Sequence, residues 1–105
     1  MIDVTLIVPT LGRDGNAYGA EHRASFEAFV LFRFPSLVRL PGNLAMRRMD
    51  RGVSYTDNSI AYSIGVPGLM HMPKLTEVLR FASGHFGGQS IIVRYLGMTE
   101  SIAAA

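Results

Sequence analysis

Three segments of the chain alternate large apolar residues with other types, which is the period-two pattern of a β-strand. Successive strand side chains point to opposite faces, so each large set shares one face of a sheet. The pattern predicts strands over residues 2–8, 60–66 and 91–96. The sets are Ile2, Val4, Leu6 and Val8; Ile60, Tyr62, Ile64 and Val66; and Ile91, Val93 and Tyr95.

A fourth strand signal is less regular. Residues 37–40 begin it, Pro41-Gly42 interrupts it, and residues 43–48 continue it before a turn at Asp50-Arg51-Gly52. Proline cannot donate to a strand ladder and glycine favours turns, so we expect a bulge or turn inside this segment.

Two segments follow the helical period. The first runs from Ala20 to Phe32, with Phe26, Phe29 and Val30 on its apolar side, and Pro35 ends it. The second begins at Pro73, where the missing N–H costs nothing, and ends near Gly84. Of the four phenylalanines at 26, 29, 32 and 34, we expect three in the core and one exposed or in a subunit contact.

The order β-α-β-β-α-β predicts an α+β, ferredoxin-like fold. Its right-handed crossovers place both helices on one face of a four-stranded antiparallel sheet. We expect residues 1–100 to form one domain and residues 101–105 to be a frayed tail.

The other sheet face has no helix to cover it in this prediction. Apolar residues on that face favour association, and a two-fold homodimer is the commonest solution. The residues on this face are Ile7, Ala61, Ile92 and Leu96, mixed with Thr5, Ser63 and Arg94.

Composition and charge exclude several function classes. The 105 residues are 49% hydrophobic, which excludes disorder, and the absence of cysteine excludes disulfides and thiolate chemistry. A net charge of +2 is weak for a nucleic-acid binder. Neither a leader nor a membrane-spanning segment is recognisable, so we expect a cytoplasmic protein that contacts no membrane.

One basic cluster stands out at the predicted hairpin turn. Arg47, Arg48 and Arg51 could grip a phosphate or a partner carboxylate, or could simply solvate a loop tip, which we favour. The first strand lacks the aromatic residue with which an RNA-recognition sheet stacks bases, so we expect no nucleic-acid binding.

The three histidines, His22, His71 and His85, lack metal-ligand spacing, and we expect neither metal nor cofactor. His22 has charged neighbours typical of a solvated helix face. His85 follows Gly84 and is the best general-base candidate. Glu77 and Arg80 have the i, i+3 spacing of a surface ion pair.

Residues 10–19 contain three glycines and predict a long loop between the first strand and the first helix. Such loops are often functional, although a flexible connection is the simpler interpretation. Gly12-Arg13-Asp14-Gly15 suggests a phosphate loop but lacks the Walker lysine and its following hydroxyl residue.

Two short segments together resemble a family of small bacterial proteins of unknown function. The first is Phe26-Glu27-Ala28-Phe29 followed by Arg33-Phe34-Pro35, and the second is His85-Phe86-Gly87-Gly88-Gln89-Ser90-Ile91 before the last strand. That family carries Arg-Phe-Pro and a Phe-Gly-Gln-Glu-Ser-Val-like segment at these places, and this chain lacks the acidic residue before Ser90. The resemblance implies the same α+β fold and carries no activity with it.

Two functions remain open on the sequence. The first is a homodimeric interaction module or small-ligand-binding module. The alternative is a small cofactor-free enzyme of the dimeric α+β barrel type, with Tyr62, Arg94 and His85 as the polar groups of a pocket between sheet and helices. A large apolar pocket containing His85 would favour the enzyme, and a filled core would favour the interaction module.

Overall fold

A computed structural model describes residues 1–12, 14–42, 44–50, 52–89 and 91–102; of residues 44–50 and 53–57 it describes the backbone alone. The strands are β1 (Ile2–Pro9), β2 (Val38–Arg39), β3 (Leu44–Asp50), β4 (Val53–Val66), β5 (Ile91–Tyr95) and β6 (Met98–Ile102). The helices are α1 (Ala20–Arg33) and α2 (Met72–His85), and a 3₁₀ turn, Leu69–His71, precedes α2.

The strands form one antiparallel sheet in the order β2-β4-β1-β5-β6, with β3 paired to the first half of β4. The class is α+β as predicted, but the prediction of four strands is wrong. Pro41-Gly42 divides the second predicted strand into β2 and β3, and β6 adds an edge strand beyond β5. Ser101 and Ile102 belong to β6, so the strand extends into the segment expected to fray.

Both helices cover the same face of the sheet. The alternating large residues of β1, β4 and β5 turn toward this face and are buried, including Leu6, Ile64 and Val93 at 0–1% exposure. Val30 from α1 and Val78 from α2 meet them there. The predicted helix-facing sets are therefore the core, and burial of about 25 cal/mol per Å² of apolar surface is its main stabilisation.

The phenylalanines of α1 divide as the sequence predicts. Phe26 and Phe34 are fully buried, and Phe29 is half-buried beside the core. Phe32 is 87% exposed. A helix side that presents Leu31 and Phe32 to solvent is unusual, because an exposed aromatic ring of this size loses about 2 kcal/mol of burial energy.

The second face of the sheet is less apolar at its surface than expected. Ile7 and Ala61 lie on this face but are 2% and 4% exposed within the single chain. Ile92 is half-buried, while Arg94 and Leu96 are exposed. A second copy would therefore meet mixed polar and apolar side chains, and the homodimer stays a prediction.

The predicted basic cluster is not described at the level of side chains. Arg51 and the side chains of Arg47 and Arg48 lie outside the described residues, so the basic cluster stays a prediction.

Among the residues that the structure describes, neither α1 nor α2 has the length and apolar character needed to span a bilayer.

Candidate functional site

The structure does not bring Tyr62, Arg94 and His85 together. Tyr62 faces the helices and Arg94 faces the other side of the sheet, because Tyr62 pairs with Leu6 whereas Arg94 pairs with Thr5. His85 ends α2, and the loop that follows it leads into Ile91 near the Pro9 end of β1. Arg94 pairs with Thr5, and Thr5 to Pro9 is about 13 Å at roughly 3.3 Å per residue, so Arg94 and His85 are separated along β1.

Tyr62 is a core residue whose hydroxyl is already engaged. Its ring is fully buried and packs edge-to-face on Phe26, and its Oη donates to Glu27 Oε1 at 3.0 Å. Burial, followed by the Glu27 carboxylate, raises the pKa of Tyr62 far above its ordinary value. Tyr62 belongs to the buried core between the sheet and the helices, and its hydroxyl is committed to Glu27, so it offers no free polar group to a ligand there.

Arg94 lines an open hollow of about 450 Å³ on the second face, at the turn between β5 and β6. It is open to solvent over most of its surface, so it is a shallow depression rather than an enclosed pocket. The hollow combines a guanidinium, a carboxylate and apolar side chains, so it suits an amphipathic ligand that carries charge. Its lining residues are Asp3, Arg94, Tyr95, Leu96, Gly97, Met98 and Thr99.

The turn that forms the rim of this hollow is strained. Leu96 has φ +48° and Gly97 has φ +74°, the left-handed pair that asparagine and glycine normally supply. A leucine in this region costs about 1–2 kcal/mol relative to glycine. Leu96 is also 68% exposed, so burial does not compensate for the strain within the chain. Strain of this kind concentrates at ligand-binding positions.

Tyr95 stiffens the same turn. Its hydroxyl is hydrogen-bonded to Glu100, and this bond is the main reason that its pKa is raised. Because the turn joins β5 directly to edge strand β6, the hydrogen bond links the two strands that carry the hollow.

His85 lies at the other end of β1 in a fixed orientation. Its Nε2 is 2.8 Å from the carbonyl oxygen of His22, which can only accept, so Nε2 carries a hydrogen and the neutral ring has its lone pair on Nδ1. A carbonyl-oriented imidazole of this kind is suited to accept a proton at Nδ1. The general-base role of His85 stays a prediction.

A column of stacked groups runs along α1 and α2 through both histidines. Tyr18 stacks on His22 at 4.3 Å between ring centroids, and His22 stacks on His85 at 3.8 Å. The column continues from His85 to Phe81 at 4.9 Å, from Phe81 to Phe29 at 3.9 Å, and to the Arg33 guanidinium 3.7 Å from the Phe29 centroid.

The column corrects the interpretation of His22 as a solvated residue. His22 is half-buried, and its Nε2 is buried without a hydrogen-bond partner. Desolvation, followed by the neighbouring His85, lowers the pKa of His22 below its ordinary value. Sequence pattern could not reveal this, because 63 positions separate the two histidines.

The Arg33 end of the column also corrects the predicted ion pair between Glu77 and Arg80. Glu77 Oε2 pairs with Arg33 Nε at 2.9 Å, rather than with Arg80. Arg33 is held by Phe29 as well, since its Nη1 donates to the Phe29 carbonyl at 3.1 Å. The pair therefore links α1 to α2, whereas the i, i+3 spacing predicts a contact within α2.

Residues 10–12 and 14–19 belong to a loop fastened to the segment after α2. Gln89 Nε2 donates to the carbonyl of Leu11 at 2.8 Å and lies 3.3 Å from Tyr18 Oη. Gly87 has φ +71°, and a Cβ there would lie 3.2 Å from Tyr18 Oη, so both the turn and the close approach favour glycine. Phosphate binding by the loop stays untested, because residue 13 is not described.

Within the described residues, no group of three or more histidine, aspartate or glutamate side chains is placed to hold a metal ion. Among the described residues, polar and titratable side chains cluster at the hollow at Arg94 and in the histidine column. They occupy different faces and different ends of the sheet.

Two solved structures are similar to this chain over nearly its whole length. One, a phage SAM lyase in complex with S-methyl-5′-thioadenosine, has a TM-score of 0.71 and 17% identity, covering 98% of this chain and 89% of that chain. A phage SAM lyase in its apo state has a TM-score of 0.66 and 20% identity, with the same coverage. No family model and no curated protein matches the sequence. At these identities the likeness establishes that the chain shares the fold of a phage SAM lyase.

Proposed function

We propose that this protein binds a SAM-type small molecule in the hollow at Arg94 and acts on it as a small enzyme. The observation that carries the proposal is the match over 98% of the chain to a lyase with a bound thioadenosine. Fold alone does not determine chemistry, so the argument depends on what the hollow offers. We also propose that the fold is ferredoxin-like, with β6 as an added edge strand.

The hollow has groups complementary to such a ligand. SAM carries a carboxylate, an ammonium group, a positively charged sulfur and an adenosine. Arg94 offers a bidentate partner for the carboxylate, and Asp3 offers a negative charge for the ammonium or sulfonium. Leu96 and Met98, which are 68% and 50% exposed, offer apolar surface for the purine. SAM can lose a neutral thioether as its leaving group. The C–S bond breaks with its electron pair on sulfur, and the carbon that sulfur leaves forms a C–O bond to the carboxylate of the same molecule, so the products are S-methyl-5′-thioadenosine and a lactone.

Incubation with SAM tests this proposal. We expect loss of SAM and the appearance of S-methyl-5′-thioadenosine in equal amounts, measured by liquid chromatography and mass spectrometry. Heat-denatured protein provides the background, because SAM also degrades slowly in water. A rate equal to that background at high protein concentration would contradict the enzymatic proposal.

The second candidate is a homodimeric interaction module, and the exposed surface favours it. Ile92 is half-buried and Leu96 is 68% exposed on the second face of the sheet, and a second copy would bury this apolar surface. The proposed contact is the second face around Thr5, Ser63 and Ile92, next to the hollow.

Light scattering over a tenfold concentration range tests the dimer. We expect a stable mass near 23 kDa, which is twice the chain mass of 11.5 kDa. A mass of 11.5 kDa at all concentrations would contradict the dimer. Any larger assembly would contradict a simple two-fold pairing.

A further inference from the structure

The link between residues 10–19 and the helices depends on Tyr18. Its N–H donates to the Thr10 carbonyl at 2.9 Å, and its own carbonyl accepts from Arg23 Nη1 at 3.1 Å. Its ring lies flat on His22, with an interplanar angle of 11°, and meets Phe86 edge-on. Besides the hydrogen bond from Gln89 to Leu11, the loop is therefore held by a ring that stacks directly on a titratable group.

The stack favours the neutral form of the His22 imidazole. His22 and His85 lie 3.8 Å apart, and the unpartnered Nε2 of His22 is cut off from water. A proton added to His22 places a desolvated positive charge beside a second imidazole, which is unfavourable on both counts. Release of the loop would return the ring to water and remove this cost.

The charged groups around the pair do not offset that cost. On α1, Arg23 adds a positive charge through its contact with Tyr18, and Glu21 is exposed to solvent. Phe81 and Phe86, which contact His85, are uncharged. Hydrogen bonds from Asn16 lower the pKa of Asp14, the carboxylate of the loop, so it stays ionised above pH 4.

We propose that the stack of Tyr18, His22 and His85 is a pH-sensitive latch that holds residues 10–19 against the helices near neutral pH and releases them in mild acid. The geometry of the stack and the buried, unpartnered nitrogen carry this inference. It does not depend on the proposed ligand, because the hollow lies at the other end of β1.

The direction and size of the effect follow from linkage. In the latched form the pKa of His22 is lowered, chiefly by burial, whereas in the released form it returns to an ordinary value of about 6.5. The released form therefore binds more protons, and latching is lost as the pH falls below about 6.5. One such histidine raises the opening equilibrium constant by up to about tenfold between pH 7.5 and pH 5.5, the upper limit applying when the latched form takes up no proton in this range.

Amide hydrogen exchange measured by NMR tests the latch. The reporter amides are Tyr18 N–H, which donates to Thr10, and Gly12 N–H, which donates to the Asn16 carbonyl at 2.8 Å. After correction for intrinsic exchange rates, we expect their opening constant to rise as the pH falls from 7.5 to 5.5, by up to about tenfold. The amide of Leu6 in the central strand should keep its protection and serves as the internal reference.

Two variants identify the responsible group. His22→Phe keeps a ring in the stack and removes both the titration and the unpartnered nitrogen, so we expect a folded protein whose loop protection is independent of pH. His71→Phe removes a histidine from the 3₁₀ turn, and the rise of the opening constant in mild acid should be the same as in the parent protein. A pH-independent loop in the parent protein, or an unchanged pH profile in His22→Phe, would overturn the latch.

Discussion

Replacing Ile64 by aspartate is expected to destabilise the protein severely and to lower its melting temperature. Ile64 is completely buried on the helix-facing side of β4, where it pairs with Val4. An aspartate there would either place an unpaired charge in the core or keep its proton at a high cost, in addition to losing the isoleucine packing. We expect a loss of about 4 kcal/mol or more in the free energy of unfolding, against typical totals of 5–15 kcal/mol.

Circular dichroism with thermal and urea melts measures this effect. The matched control is Ser63→Asp on the same strand, because Ser63 points to the second face and is partly exposed. We expect that control to retain a cooperative transition with a loss below about 1.5 kcal/mol. Equal melting temperatures for Ile64→Asp and the parent would mean that the inward face of β4 is assigned wrongly.

The success of the strand prediction at Ile64 has a simple physical reason. A strand with one face on the core must place its large side chains at every second position, so Ile60, Tyr62, Ile64 and Val66 reveal both the element and its orientation. The end of the first helix and the start of the second could also be predicted, because Pro35 and Pro73 restrict the local backbone conformation. These signals depend only on neighbouring positions in the chain.

Features that depend on distant positions could not be predicted. His22 and His85 meet only after both helices pack, and Glu77 pairs with Arg33 for the same reason. Strand β6 was missed because its side chains are almost all exposed, so burial imposes no alternation on Met98–Ile102. The left-handed Leu96 was missed because leucine gives no turn signal.

For the candidate ligand residues, too, neighbouring positions predict the sheet face but not the contacts made in the folded chain. The sequence predicts Arg94 in a pocket between sheet and helices, whereas Arg94 lines the hollow on the other face, and its role as a ligand residue stays a prediction. The sequence predicts Tyr62 in the same pocket, but its hydroxyl is used by Glu27. Strand alternation already places Tyr62 and Arg94 on opposite faces, whereas the hydrogen bond from Tyr62 to Glu27 required the folded chain.

Arg94→Ala is expected to weaken SAM binding by about 10- to 100-fold. A charge-assisted hydrogen bond contributes about 1.5–3 kcal/mol, and each 1.4 kcal/mol is a factor of ten in the dissociation constant. S-methyl-5′-thioadenosine has no carboxylate, so its affinity should change by less than about threefold in the same variant. Isothermal titration calorimetry with both ligands measures the difference.

Arg80→Ala is the matched control for this experiment. Arg80 is an exposed arginine on α2, on the helix side of the sheet, so its removal changes net charge equally without touching the hollow. We expect the parent affinity for both ligands. Equal weakening by Arg80→Ala and Arg94→Ala would mean that only general electrostatic attraction is involved. A parent-like SAM affinity in Arg94→Ala would remove Arg94 from the site.

The most direct test of the central claim is an NMR titration of the ¹⁵N-labelled protein with S-methyl-5′-thioadenosine up to millimolar concentration. The account predicts saturable shifts in the amides around the hollow, at Asp3, Tyr95, Gly97 and Thr99, with the amides of Tyr18 and His85 unchanged. Shifts confined to the histidine column would place the ligand at the wrong end of β1. Their complete absence would contradict binding of this ligand class.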